Sequence, residues 1–152
     1  MILAIISGAL SSWTDQTVAA LADGGFRSGG ARRAVIELLG RQECCLTAQE
    51  IFDALRAEGR RVGIASVYRV LDLLTERGLV QRIELGSGTA RYEPKQGDDH
   101  HHHFVCEDCG KVEAFADAGL ERALRRVEGA SRNAVAGHEI VLRGACDDCS
   151  AA

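Results

Sequence analysis

The chain has 152 residues, of which 46% are hydrophobic and 26% are charged, so it is long enough to bury a core in one or two small domains. No apolar run approaches the ~20 residues that a membrane span needs. The apolar stretch at residues 1–10 is short and lacks a basic flank, so we interpret 1–11 as a possible overlong start. We therefore expect a cytoplasmic protein with no membrane partner.

The formal net charge of -4 is unevenly distributed along the chain. Residues 26–92 carry 11 Lys and Arg against 8 Asp and Glu, whereas residues 93–152 carry 7 against 12. Such a split favours a module that binds an anionic partner, joined to a module that binds cations. Differences of this size also arise by chance.

Helical periodicity and stop signals predict four helices before residue 80. They span about 13–23, 31–39, 48–58 and 65–77. The third follows a capping box at Thr47 and Glu50. In the fourth, the apolar stripe leaves Tyr68 and Arg69 outside it.

Two strand-like runs at 79–85 and 89–93 follow, with Gly86, Ser87 and Gly88 between them, and predict a hairpin. A winged helix has this element order, helices followed by a hairpin, and it places its last helix in the DNA major groove. Other small helical domains share this order. The prediction is an α+β protein with an N-terminal winged-helix DNA-binding domain at 1–93.

A polar linker at 94–99 is followed by a smaller α/β unit at 100–152. Its predicted strands cover 104–105, 111–115 and 139–142, and its predicted helix covers 117–128. A unit of this size needs a metal, a disulfide or a dimer partner to be stable.

Two C-x-x-C pairs lie in this second unit, at Cys106 with Cys109 and at Cys146 with Cys149. Four thiolates at this spacing can bind one tetrahedral zinc ion, and Gly110 allows a tight turn after the first pair. The alternative is two redox dithiols or two disulfides, which a cytoplasmic setting disfavours. A closed site with four sulfur ligands predicts a structural role.

Four consecutive histidines, His100 to His103, precede the first cysteine pair. Strand alternation would send His101 and His103 to one face and the other two to the opposite face, so the run can serve two metal sites. Further ligand candidates nearby are Glu93, Glu121 and His138. The alternative is that these histidines are solvated and bind no specific metal.

The order of these motifs resembles the ferric uptake regulator (Fur) family of metal-responsive transcription factors. The motifs are GIASVYRVL at 63–71, ARYE at 90–93, HHHHFVCEDCGKV at 100–112, His138 and CDDC at 146–149. The resemblance covers residues 26–149. It implies a homodimeric repressor with a winged helix and a C-terminal dimerisation domain that contains a four-cysteine structural zinc site.

The resemblance also implies two further metal sites. A regulatory site for Zn²⁺ or Fe²⁺ would map onto Glu93, His101 and His103, with Cys45 from the loop before Thr47 as the remaining ligand. Cys45 stands where a histidine is common, and a sulfur ligand shifts the preference toward zinc. If Cys45 is instead a core residue, the remaining ligand would be Cys44 or His100. An additional site would map onto His100, His102, Glu121 and His138.

The predicted DNA contacts lie mainly on the fourth helix, at Ser66, Tyr68 and Arg69, with Arg27, Arg32 and Arg61 as backbone contacts. The alternative role for Tyr68 is helix packing.

The functional prediction is a metal-dependent, DNA-binding repressor of iron- or zinc-uptake genes that is not an enzyme. A peroxide-sensing member of the same family is an alternative. A zinc metalloenzyme with Glu121 as base, and a zinc-ribbon scaffold, are alternatives from other classes. No H-E-x-x-H motif supports the enzyme.

Overall fold

The computed structural model describes residues 12–27, 29–86, 88–96 and 100–151. The possible overlong start at 1–11 lies outside the described residues, as do Ser87 of the predicted hairpin tip and positions 97–99 of the predicted linker. The chain divides into two compact units, residues 1–97 and 98–152.

The described residues form helices and short strands in both units. In chain order these are α1 (Trp13–Asp23), α2 (Gly30–Leu39), β1 (Leu46–Thr47), α3 (Ala48–Ala57), α4 (Ile64–Glu76), β2 (Val80–Glu84), β3 (Ala90–Pro94), β4 (His102–Cys106), β5 (Val112–Phe115), α5 (Ala118–Ala130), β6 (Val141–Gly144) and α6 (Asp147–Ser150). The predicted helices and hairpin agree with these bounds to within two residues. The two-residue strand β1 and the short helix α6 were not predicted.

The first unit joins four helices to a three-stranded antiparallel sheet of order β1-β3-β2. The capping box predicted at the start of α3 is present: Glu50 N–H donates to Thr47 Oγ1 at 3.1 Å, and Thr47 N–H donates to Glu50 Oε2 at 2.7 Å. Helix α4 leads directly into the hairpin of β2 and β3. This element order is that of a winged helix.

A single apolar core holds the first unit together. Helix α4 contributes the stripe predicted from periodicity, formed by Val67, Val70, Leu71 and Leu74. The indole N–H of Trp13 donates to the Leu79 carbonyl at 3.1 Å, which ties α1 to the start of the hairpin.

The second unit is a three-stranded sheet of order β5-β4-β6 with the helix α5. Strand β4 runs antiparallel to β5 and parallel to β6, so it lies at the centre of the sheet. None of the residues of α5 is buried within the chain. Across the part of the chain that the structure describes, no helix is long and apolar enough to span a membrane.

Candidate metal centres and nucleic-acid interface

The sheet of the second unit brings the two cysteine pairs together. Cys106 ends β4 opposite Gly144, and Cys146 follows β6, so the parallel register places the two pairs side by side. The four sulfur atoms lie within 4.8 Å of one another, with 3.7 Å between Cys109 Sγ and Cys146 Sγ. Gly110 has a φ of 77°, as the predicted tight turn requires.

Backbone amides favour a thiolate in this cluster. Cys146 N–H donates to Cys106 Sγ at 3.3 Å. Hydrogen bonds from the backbone N–H groups of Cys109 and Cys146 lower the pKa of Cys106 to about 6, whereas hydrogen bonding with Cys146 and Cys109 raises that of Cys149 to about 12. Four sulfurs within 4.8 Å of one another, one of them stabilised as a thiolate, are the donor set that a structural zinc ion prefers.

Three histidines and one glutamate form a second cluster in the same unit. Their ligand atoms lie within 4.8 Å of one another and belong to His100, His102, Glu121 and His138. His100 Nε2 and His138 Nε2 are 2.8 Å apart, and His102 Nε2 is 2.7 Å from Glu121 Oε1. The structure thus brings together all four residues predicted for the additional site.

Neighbouring groups orient the rings of this cluster. Glu128 Oε1 lies 2.5 Å from His138 Nδ1, which fixes that ring with Nε2 toward Glu121. The backbone N–H of Ile140 donates to Nδ1 of the fully buried His102 at 3.3 Å. Although desolvation opposes it, the hydrogen bond with His102 and the charges of the nearby imidazoles lower the pKa of Glu121.

The residues predicted for the regulatory site are divided between the two units. In the second unit, the rings of His101 and His103 are 5.0 Å apart between centroids, in agreement with the predicted alternation. In the first unit, Cys45 and Glu93 are both buried. Gln81 Nε2 donates to Glu93 Oε1.

The first unit also places Cys44 beside Cys45. Their sulfur atoms are 3.9 Å apart, with Cys45 2% exposed and Cys44 half-buried. Strand β1 pairs with β3 through Leu46 opposite Tyr92, so Cys45 and Glu93 are the chain neighbours of a paired couple of residues. The hydrogen bond with Cys44, burial and the negative charge of Glu93 raise the pKa of Cys45.

Helix α4 presents polar and aromatic side chains on the face opposite its core stripe. Tyr68 is 49% exposed, which argues against a packing role, and Arg69 is also exposed. The Arg69 guanidinium donates to Ser66 Oγ at 3.1 Å. The hydroxyl and guanidinium groups of this face are of the kind that contact DNA bases and phosphates.

The three predicted backbone contacts differ in their surroundings. Arg61 is exposed and lines an open groove with Arg56 and Arg60, which lies next to the start of α4 at Gly63. Arg27 is exposed as well. Arg32 is half-buried, and its guanidinium lies 5.6 Å from the centre of the Phe26 ring and donates to the Arg27 carbonyl.

Comparison with known proteins agrees with this combination of fold and ligand clusters. The model of the ferric uptake regulator family matches residues 23–143. The chain belongs to the ferric uptake regulator family. A curated relative, the ferric uptake regulation protein of Neisseria gonorrhoeae, is 33% identical over 135 residues, which cover 88% of this chain and 93% of the relative.

Solved structures of Fur proteins share the fold. The Vibrio cholerae ferric uptake regulator has a TM-score of 0.74 and 32% identity, covering 85% of this chain and 98% of its own. The Helicobacter pylori regulator, described as having three functional metal binding sites, has a TM-score of 0.76 and 26% identity, covering 93% and 94%. The predicted α+β fold is confirmed.

Family membership also decides between the functional classes. The chain is a Fur-family, metal-responsive transcriptional regulator. Members of this family are regulators and not enzymes, so the metalloenzyme alternative is wrong.

Proposed function

We propose that this Fur protein is a repressor that binds operator DNA when metal is bound and so controls metal-uptake genes. The observation that carries the proposal is the exposed face of α4, where Tyr68 and Arg69 leave the buried stripe of a winged helix. Ser66, Arg27, Arg32 and Arg61 complete the proposed DNA contacts. Arg69 and Arg61 supply the positive charge that phosphates require.

We propose that Cys106, Cys109, Cys146 and Cys149 hold one structural Zn²⁺. The sulfur spacing of 3.7 Å and the stabilised Cys106 thiolate support this assignment. With four protein ligands the ion has no open coordination position, so its role is to cross-link the sheet to α6.

The regulatory ion in our proposal binds Cys45, Glu93, His101 and His103. These residues offer sulfur, carboxylate and imidazole donors, which Zn²⁺ accepts readily and Fe²⁺ accepts in part. Because the ligands come from both units, an ion that needs all four stabilises one arrangement of the units. By linkage, it raises DNA affinity if that arrangement is the one that binds DNA.

The additional site is assigned to His100, His102, Glu121 and His138. The lowered pKa of Glu121 keeps a carboxylate beside three imidazoles, and Glu128 orients one of these rings. A carboxylate or other acceptor behind a ligating imidazole is a common feature of metal sites.

We further propose that the protein works as a cytoplasmic homodimer. Residues 1–93 would bind DNA, 94–99 would link the units, and 100–152 would hold metal and dimerise. The second unit leaves large apolar side chains exposed, among them Val127 and Leu142, which a partner subunit would cover.

The test of the proposed function is the affinity for operator DNA with and without added metal. Purified protein with its structural zinc is titrated into a labelled operator in the presence of Zn²⁺, Fe²⁺ or a chelator. We expect ~5- to 150-fold tighter binding with the cognate metal. The His101→Ala/His103→Ala protein should keep its structural zinc and lose this difference.

Arg69→Ala separates DNA contact from folding in the same assay. We expect weaker operator binding with an unchanged melting temperature, because Arg69 is exposed. Asp72→Ala, an exposed change on the same helix, is the matched control. Operator affinity that is equal in Arg69→Ala and Asp72→Ala would contradict the assignment of this face to DNA.

A further inference from the structure

The spacing of the adjacent thiols Cys44 and Cys45 matches that of a metal site. In a tetrahedral site with Zn–S bonds of about 2.3 Å, two sulfurs lie about 3.8 Å apart. The separation of 3.9 Å between Cys44 and Cys45 is close to this value and to the 3.7 Å between Cys109 and Cys146. The two neighbouring sulfurs are therefore already spaced as two ligands of one ion.

The surrounding backbone holds these thiols in place. Cys45 directly precedes β1, which is paired with β3, and its carbonyl accepts a hydrogen bond from Arg91 Nη1 at 3.4 Å. Arg91 also forms an ion pair with Glu50 at 3.1 Å, at the start of α3. The backbone at Cys45 is thus held both by the pairing of β1 with β3 and by the Arg91 side chain.

A carboxylate lies beside the thiol pair within the same unit. Glu93 is 2% exposed and follows Tyr92, which pairs with Leu46, the residue after Cys45. The negative charge of Glu93 acts on the Cys45 thiol. The first unit alone therefore supplies two sulfurs and one carboxylate group.

We propose that Cys44 and Cys45 bind the regulatory ion together, and that this makes the site selective for a thiophilic divalent cation, zinc, over iron and manganese. This inference rests on the proposed regulatory site and adds Cys44 to its candidate ligands, of which a tetrahedral ion uses four. Each thiol loses its proton to solvent as its Zn–S bond forms, so zinc uptake releases two protons. Thiolates favour zinc, whereas manganese and ferrous iron prefer oxygen and imidazole ligands.

The test compares Cys44→Ser with Glu43→Gln in the full-length protein with its structural zinc. Glu43 is exposed in the same loop, so its change is the matched control. Zinc affinity is measured by competition with a chromophoric chelator, and Mn²⁺ affinity is measured as the probe for a hard cation. We expect Cys44→Ser to weaken zinc binding about 100-fold and Mn²⁺ binding only a few-fold, because even the loss of an outer-shell partner costs about 10- to 100-fold.

A spectroscopic measurement on the unsubstituted protein counts the sulfur ligands directly. One equivalent of Co²⁺ added to protein that holds only its structural zinc should give a sulfur-to-cobalt charge-transfer band. That band should fall by about half in Cys44→Ser and remain unchanged in Glu43→Gln. The half-buried position of Cys44 makes Cys44→Ser the preferred variant, and Cys45→Ala is a second variant if Cys44→Ser does not fold.

Equal zinc affinities and equal cobalt spectra for Cys44→Ser and Glu43→Gln would overturn the role of Cys44. If zinc-dependent DNA binding is then still lost in His101→Ala/His103→Ala, the proposed function stands without the thiol pair. If the unsubstituted protein binds operator DNA equally well with and without metal, the proposed function is overturned. The zinc competition measurement would still show whether Cys44 and Cys45 bind zinc together.

Discussion

The two units of this Fur protein are stabilised by different means. The first unit buries a continuous apolar core from all four helices and the hairpin. In the described part of the second unit, the buried residues are the potential ligands Cys106, Cys146, His102 and His103. The first unit can therefore fold on apolar packing, whereas the second buries mainly potential ligands and, in our proposal, needs metal to be stable.

The largest expected effect comes from removing one ligand of the four-cysteine cluster. Cys109→Ser should release zinc and unfold the second unit, because structural zinc contributes about 10–16 kcal/mol in small zinc domains. Zinc content and circular dichroism check this outcome. Glu107→Gln, an exposed change in the same turn, is the control.

The only tryptophan of the chain, Trp13, lies in the first unit, so its fluorescence reports on that unit alone. The denaturant midpoint that it records should be unchanged in Cys109→Ser. A large fall in that midpoint would show that the first unit depends on the zinc cluster, and would contradict the view that the two units are stabilised by different means.

The converse experiment creates a cavity in the first unit. Leu71 is fully buried in α4, so Leu71→Ala should destabilise this unit by about 2–5 kcal/mol. Denaturant unfolding followed by Trp13 fluorescence measures the loss, with Asp72→Ala as the exposed control. Zinc content should remain unchanged, and zinc release at native conditions would contradict the independence of the two units.

Acidification should affect the second unit first. Since the pKa of Cys106 is lowered to about 6, its thiolate is present above that pH and is protonated below it. Protons compete with zinc for each thiolate, and the pKa of Cys149 is raised to about 12, so zinc affinity should fall throughout this range. Below pH 6, where Cys106 also binds a proton, the fall should steepen by about tenfold per pH unit. Release of zinc to an indicator between pH 8 and pH 5 tests this, and a slope that does not steepen near pH 6 would contradict the stabilised thiolate.

The smallest expected effect is at the capping box of α3. Thr47→Ala removes the acceptor for Glu50 N–H and should cost the first unit about 1 kcal/mol. Gln49→Ala, an exposed change in the first turn, is the control. Both are measured by Trp13 fluorescence, and equal midpoints for the two variants would show that the cap contributes nothing.

Much of this architecture could be predicted from the sequence because its signals are local. The capping box at Thr47, the apolar stripe of α4 and the C-x-x-C spacings each depend on residues a few positions apart. The left-handed turn at Gly110 follows from the same short motif.

The features that were missed depend on contacts between distant residues. Strand β1 has only two residues, too few for a detectable alternation, and it exists because β3 pairs with it. Glu128 next to His138 has no signature along the sequence, and Cys44 was predicted only as an alternative to Cys45, not as a ligand beside it. Arg32 was predicted as a DNA contact, yet its packing on Phe26 could not be read from helix periodicity.

The hydrogen bond from the Ile140 amide to His102 Nδ1 has a consequence for hydrogen exchange. A neutral imidazole that binds a metal through Nε2 carries its proton on Nδ1, and that nitrogen can then no longer accept. Metal capture by His102 therefore leaves the Ile140 N–H without this acceptor. The hydrogen-exchange rate of the Ile140 amide therefore reports whether His102 is a ligand. On metal addition, this rate rises if His102 binds the ion. It stays constant if only His100, Glu121 and His138 bind the ion.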